Sequence, residues 1–290
     1  MVLYRRGGIV IKGKNKSRLH AISTIMSRVS QTKFWGWGIF ITMSISLAIS
    51  SIMLVNYLRF TDTNLISVEK QPLTTAILLS VILVSLYLSI TVSLNISREY
   101  NNNTIEMLFY GPVDEVAYML GNFFAQIKLF VFTLIATLVW MNLSIWLLNL
   151  DFRMDMFAML AASIFMCGQL VAFGLLVAAW GGKRRNALIY FLLIIVLIGG
   201  IQAADLIVST LIQIQSATAN DPLVVVRNVL SGLSGIISWI SPYSQLSNAF
   251  DAILDNAIGG FLGTLGLMFV EMVLMLAGSI LLLKKKGVRG

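Results

Sequence analysis

The chain has 290 residues, 58% hydrophobic and 12% charged, where a soluble domain runs near 45–50% and about 25%. A soluble globule of this make-up would expose large apolar patches, and sparse charge with only 4 prolines excludes disordered and collagen-like chains. A formal net charge of +8 raises the question of nucleic acid, which the placement of the charges decides.

Residues 1–33 are polar and basic, carrying Arg5, Arg6, Lys12, Lys14, Lys16, Arg18, Arg28 and Lys33. Within them, Ser17 to Lys33 places Ile22, Ile25, Met26 and Val29 at i, i+3, i+4, i+7. That spacing predicts an amphipathic helix lying along the inner membrane surface. Gly8 to Asn15 follows the Gly-x-x-x-x-Gly-Lys-[Ser/Thr] pattern of a nucleotide-binding loop up to its last position. Asn15 lacks the hydroxyl that magnesium needs there, so the match is read as chance.

A membrane-crossing helix needs roughly 20 mostly apolar residues. Six such runs are predicted, at about 34–56, 73–95, 116–148, 156–180, 187–212 and 260–283. They are too long and continuous for the alternating strands of an outer-membrane barrel. The first run is expected to span rather than to be a cleaved signal. Gly199-Gly200 predicts a kink or local unwinding in span five. The segment of about 213–259 has mixed polarity and is expected to form partly re-entrant helices on the outer face, covered by protein or facing water. Gly259, Gly260, Gly263 and Gly266 form a small-residue strip on the last span, read as a close helix-packing face.

Sixteen of the 21 basic residues fall on one side of this topology, including Arg98, Lys183, Arg184, Arg185 and the Lys284–Lys286 tail. The positive-inside rule makes that side cytoplasmic, with both termini on it. The positive balance therefore records orientation in a cell membrane, and no nucleic-acid partner is expected. A single Cys167 and a single His20 leave no disulfide, and no metal cluster is visible.

The connection between spans two and three, about 97–113, is the most informative stretch. Thr104 is placed to cap a short helix in which Ile105, Leu108 and Phe109 share one face and Glu106 and Tyr110 another. Gly111-Pro112 ends it, and Asp114 supplies a cap for the next helix. A short amphipathic helix presented between two spans suits docking to a partner. Three ionisable residues lie inside the spans: Lys128, Asp205 and Glu271. Glu271 sits 13 residues before Lys284, about 20 Å along a helix and so near mid-membrane. Such groups are functional candidates by default, here as a substrate path or as an interhelical hydrogen bond.

The 97–113 stretch resembles the motif Glu-x-x-x-Gly-Thr-x-Glu-x-Leu-x-x-x-Pro-Val of type-two ATP-binding cassette (ABC) exporter permeases. Glu99, Thr104, Glu106, Leu108, Pro112 and Val113 match in register. Asn103 stands where the family favours Gly, a substitution that a left-handed turn tolerates. Asn101 stands where the family often has a second acid. The resemblance extends to the basic amphipathic N-terminal helix, the six spans, a broken fifth span and Ser241-Pro242-Tyr243 before the last.

It implies a non-catalytic permease subunit whose coupling helix (Glu99, Thr104, Ile105, Glu106, Leu108, Phe109, Pro112, Val113) docks a separate cytosolic ATPase. It also implies a second permease copy or a related permease, with ATP and magnesium on the partner and no cofactor in this chain. The rival reading is an ATP-independent carrier or channel using Lys128, Asp205 and Glu271 as a relay. Domain organisation is then a basic segment at 1–33 and a permease domain at 34–290, in an all-α, six-span membrane protein with membrane lipid as its surroundings.

Overall fold

The computed structural model describes residues 7–64, 72–102, 104, 113–150, 154–215 and 222–286. Among the described residues there are nine helices and no strands. In chain order they are α1 (Gly7–Phe34), α2 (Trp37–Asn64), α3 (Pro72–Asn101), α4 (Glu115–Leu148) and α5 (Asp155–Gly181). Then follow α6 (Arg184–Gln215), α7 (Pro222–Ile240), α8 (Pro242–Leu254) and α9 (Ile258–Lys286). Six of them (α2, α3, α4, α5, α6 and α9) are long and apolar enough to cross a membrane. They coincide with the six predicted runs, and the chain reads as a multi-pass membrane protein.

The hub is α5. Of its apolar stretch 72% is buried, against 56% for α3 and 11% for α6, so α5 is the centre and α6 the periphery. Small side chains bring α3 and α5 together. Ser85, Ser89, Ser93 and Ser97 recur every four residues on one face of α3, and all are buried. A Cβ added at Gly174 of α5 would lie 2.6 Å from the Ser89 carbonyl oxygen, so only glycine admits this approach. The Ser89 hydroxyl donates to the Leu170 carbonyl at the same crossing. On the other flank of α3, Ser46 and Ser80 hydroxyls meet at 2.9 Å, and Ser50 donates to the Ala76 carbonyl at 2.9 Å, joining α2.

The chain turns sharply where the side chains permit it. Asn149 takes a left-handed conformation (φ 51°) to close α4, and Gly182 (φ 65°) closes α5. Between α1 and α2 the backbone bends at Trp35-Gly36, and Trp35 and Trp37 are among the most exposed side chains, as in the aromatic belts of membrane interfaces.

Four of these expectations meet the structure directly. The amphipathic helix begins at Gly7 rather than near Ser17, and so Gly8 to Asn15 is helical, not a nucleotide-cradling loop. Of its predicted apolar positions, Ile25 presses on α4, where a Cβ at Gly121 would come within 2.8 Å of it. Helix α6 runs unbroken through Gly199-Gly200. Each glycine there costs about 1 kcal/mol relative to alanine but removes no backbone hydrogen bond, so the ladder persists. Finally, a Cβ built at Gly260 would meet Ala252 at 3.6 Å, whereas Gly259, Gly263 and Gly266 have nothing within 4 Å, so most of the strip on α9 packs on nothing within this chain.

Candidate functional site

Two clusters of polar side chains stand out against the apolar bundle. The first brackets the α3–α4 connection. Glu99, half-buried at the end of α3, accepts a hydrogen bond at 2.5 Å from the hydroxyl of Tyr118, which is buried in α4. Thr104 donates to the Glu99 carbonyl at 2.9 Å, so its hydroxyl closes the end of α3. Val113 is half-buried against the apolar core. Asp114 caps α4 by accepting from the Ala117 amide at 3.0 Å, and its other oxygen lies 2.5 Å from Arg18 Nε. Ile105, Glu106, Leu108, Phe109 and Pro112 lie outside the described residues. Both flanks of the connection are thus anchored, one to α4 and the other to α1.

Sequence reasoning found the motif but not its anchors. Asp114 was recognisable as a cap; Tyr118 and Arg18 gave no local signal, because their partners lie 19 and 96 residues away in the chain. Lys33, at the far end of α1, has a buried Nζ without a hydrogen-bond partner. Burial pulls its ammonium down from the usual lysine range to about 7. Beside it, Phe34 packs edge-on against Phe132 of α4 at 4.9 Å between ring centroids.

The second cluster lies inside the bundle, where α5, α8 and α9 meet. The Gln169 side-chain amide donates to the Glu271 carboxylate and, at 3.1 Å, to the Gln245 side-chain oxygen. Gln245 in turn donates to the Trp239 carbonyl at the end of α7. Nearby, Gln202 of α6 donates to the Ser244 hydroxyl at 2.7 Å. The α7–α8 turn at Ser241-Pro242 is therefore held at the level of the middle of α5 and α9, and Ser241 is buried. An apolar cavity of about 520 Å³ lies beside this turn, walled by Leu86, Phe173, Ile198 and Met275, with Gln202 and Ser241 at its polar end.

Glu271 thus sits in an amide network. Lys128 is exposed on α4, Asp205 is half-buried on α6, and no hydrogen bond or ion pair joins either to Glu271. The glutamines escaped sequence reading because a neutral amide in an apolar run looks like a single polar interruption. Among the described residues no three His, Cys, Asp or Glu side chains gather as metal ligands. No protein-family model matches this chain, and a comparison with curated proteins finds no match.

Proposed function

We propose that this chain is the membrane-spanning permease subunit of an ATP-driven exporter of the type-two ABC class. The observation that carries the reading is the motif Glu99 to Val113, placed between two long apolar helices whose ends are both anchored. In this reading 97–113 holds the coupling helix, seated in a groove of a separate cytosolic ATPase that binds ATP and magnesium. Both termini are cytoplasmic, and the protein resides in the cell membrane. The α7–α8 pair dips into the membrane from the outer face. A second permease copy, or a related one, completes the translocation path.

The mechanism follows from the anchors. When the ATPase pair closes, the coupling helix is pushed, and it cannot move alone. Tyr118–Glu99 passes the displacement to α3 and α4 together, and Arg18–Asp114 passes it to α1. The chain makes and breaks no covalent bond; it converts a push into a rigid-body tilt of packed helices. Co-purification tests this: a nucleotide-binding subunit should elute with the tagged chain. Replacing Glu106 and Leu108 by alanine should weaken that association or uncouple ATP hydrolysis from transport. Intact assembly and coupled turnover in the double variant would sink the assignment.

The second reading, an ATP-independent carrier or channel, is favoured by one observation: Glu271 is an acid inside a span with amides as its neighbours. It is weakened because no hydrogen bond or ion pair links Glu271 to Lys128 or Asp205, which leaves the relay without adjoining members.

A further inference from the structure

A second cavity, of about 430 Å³, opens where the end of α3 meets the start of α6, at the end of the bundle that carries the α3–α4 connection. It is lined by Asn101, Lys183, Arg184, Arg185 and Leu188. The three cations are exposed, and none makes an ion pair among the described residues. Among the described residues no acid lines the cavity. Arg184 opens a 32-residue helix, so the leading N–H groups of α6 add positive character at the same spot. These features together define an anion site with one neutral hydrogen-bonding amide at its edge.

What surrounds the site selects the kind of anion. Trp180 and Tyr190 stack at 5.1 Å between ring centroids, 26° from parallel, and both are exposed. Amphipathic rings of this kind collect at the headgroup level of a bilayer. Directly along α6 from the cations, Leu188, Leu192 and Leu193 are exposed. A charged headgroup in the cavity would therefore continue into chains lying on an apolar helix face. Neither a free phosphate nor an acidic protein surface would use that continuation.

We propose that Lys183, Arg184 and Arg185 bind the phosphate headgroup of an anionic phospholipid, whose acyl chains cover the outward face of α6. Only Asn101 of the 97–113 stretch touches the site, and its occupancy does not depend on the chain being an exporter. It gives α6, the least packed span, a lipid as its local support.

The test uses the purified full-length chain in neutral detergent, titrated with phosphatidylglycerol or with phosphatidylcholine of the same acyl chains. Bound lipid is counted by native mass spectrometry. The wild-type chain should hold phosphatidylglycerol at least about tenfold more tightly, as expected for cations at a membrane surface. Arg184→Gln/Arg185→Gln should abolish the preference. Lys284→Gln/Lys285→Gln removes equal charge at the end of α9 and should leave it intact. Lys183→Gln, a milder change less able to disturb insertion, should lose part of it.

A preference that survives Arg184→Gln/Arg185→Gln, or falls equally in the α9 variant, overturns the proposal. Inorganic phosphate displacing the lipid at equal concentration overturns it in favour of a free-anion site. Absence of any lipid preference, with the triplet protected only when a nucleotide-binding subunit is bound, overturns it in favour of protein docking.

Discussion

The Asp114 carboxylate serves two elements at once: one oxygen caps α4 through the Ala117 amide, and the other meets Arg18 Nε of α1 at 2.5 Å. Both side chains are partly exposed, at 41% and 25%, so the ion pair is solvent-screened and contributes geometry more than energy. Its value lies in position, immediately after the 97–113 stretch.

The two roles of Asp114 separate by substitution. Asp114→Asn keeps a good N-cap and loses the charge, and should cost no more than about 1 kcal/mol. Asp114→Ala loses both and should cost about 1–2 kcal/mol more than Asn. Thermal unfolding in detergent ranks the three chains. Equal stability of the Asn and Ala variants would remove the cap from the account.

Tyr118→Phe deletes one oxygen and the bond to Glu99. A hydrogen bond to a charged acceptor contributes about 1.5–3 kcal/mol, so a loss of that order is expected. If the connection transmits force, this variant should still bind its ATPase while transport per ATP falls. Unchanged coupling in a stable Tyr118→Phe chain would show that the link is structural only.

Within the bundle, Glu271→Gln preserves an acceptor for Gln169, whereas Gln169→Leu removes one donor from the part-buried Glu271. The first should fold with near wild-type stability; the second should cost about 0.5–1.5 kcal/mol, the net contribution of one hydrogen bond. Transport assays on Glu271→Gln separate the two functional readings. Normal export across pH supports a structural amide network, and abolished transport in a chain that co-purifies with no ATPase supports the relay.

Lys33 predicts a pH dependence with a definite sign. Its folded-state value of about 7 lies below the usual lysine value of 10.5, so the unfolded chain binds the extra proton between them. Stability from this group is therefore greatest above pH 10.5 and falls as pH drops toward 7, by up to about 1.4 kcal/mol per unit. Lys33→Met should raise the melting temperature at pH 7, and the difference should shrink toward pH 10. A constant difference across that range contradicts the burial of the ammonium.

The six spans were legible because the bilayer demands long uninterrupted apolar runs, and each predicted run falls within or close to its helix. The helices overshoot the runs where polar residues continue the ladder into water, as Asn101 does in α3 and Gln215 in α6. Gly199-Gly200 does not unwind the chain, because composition reports propensity whereas the backbone bonds of α6 decide continuity. The α9 glycines misled because a small-residue face announces a close approach without naming the partner. Gln169, Gln245 and Glu271 come together across 76 and 102 residues, a separation that no local pattern encodes. The same holds for the serine face of α3, whose meaning depends on Gly174 opposite it.

That Ser89–Gly174 crossing has a mechanical consequence. With backbone against side chain at van der Waals limit, α3 cannot slide over α5 without lifting away from it, and lifting would break the Ser89–Leu170 bond. In the exporter reading, a load entering at the end of α3 would reach α5 through this crossing, while α6, with 11% of its apolar stretch buried, would yield first.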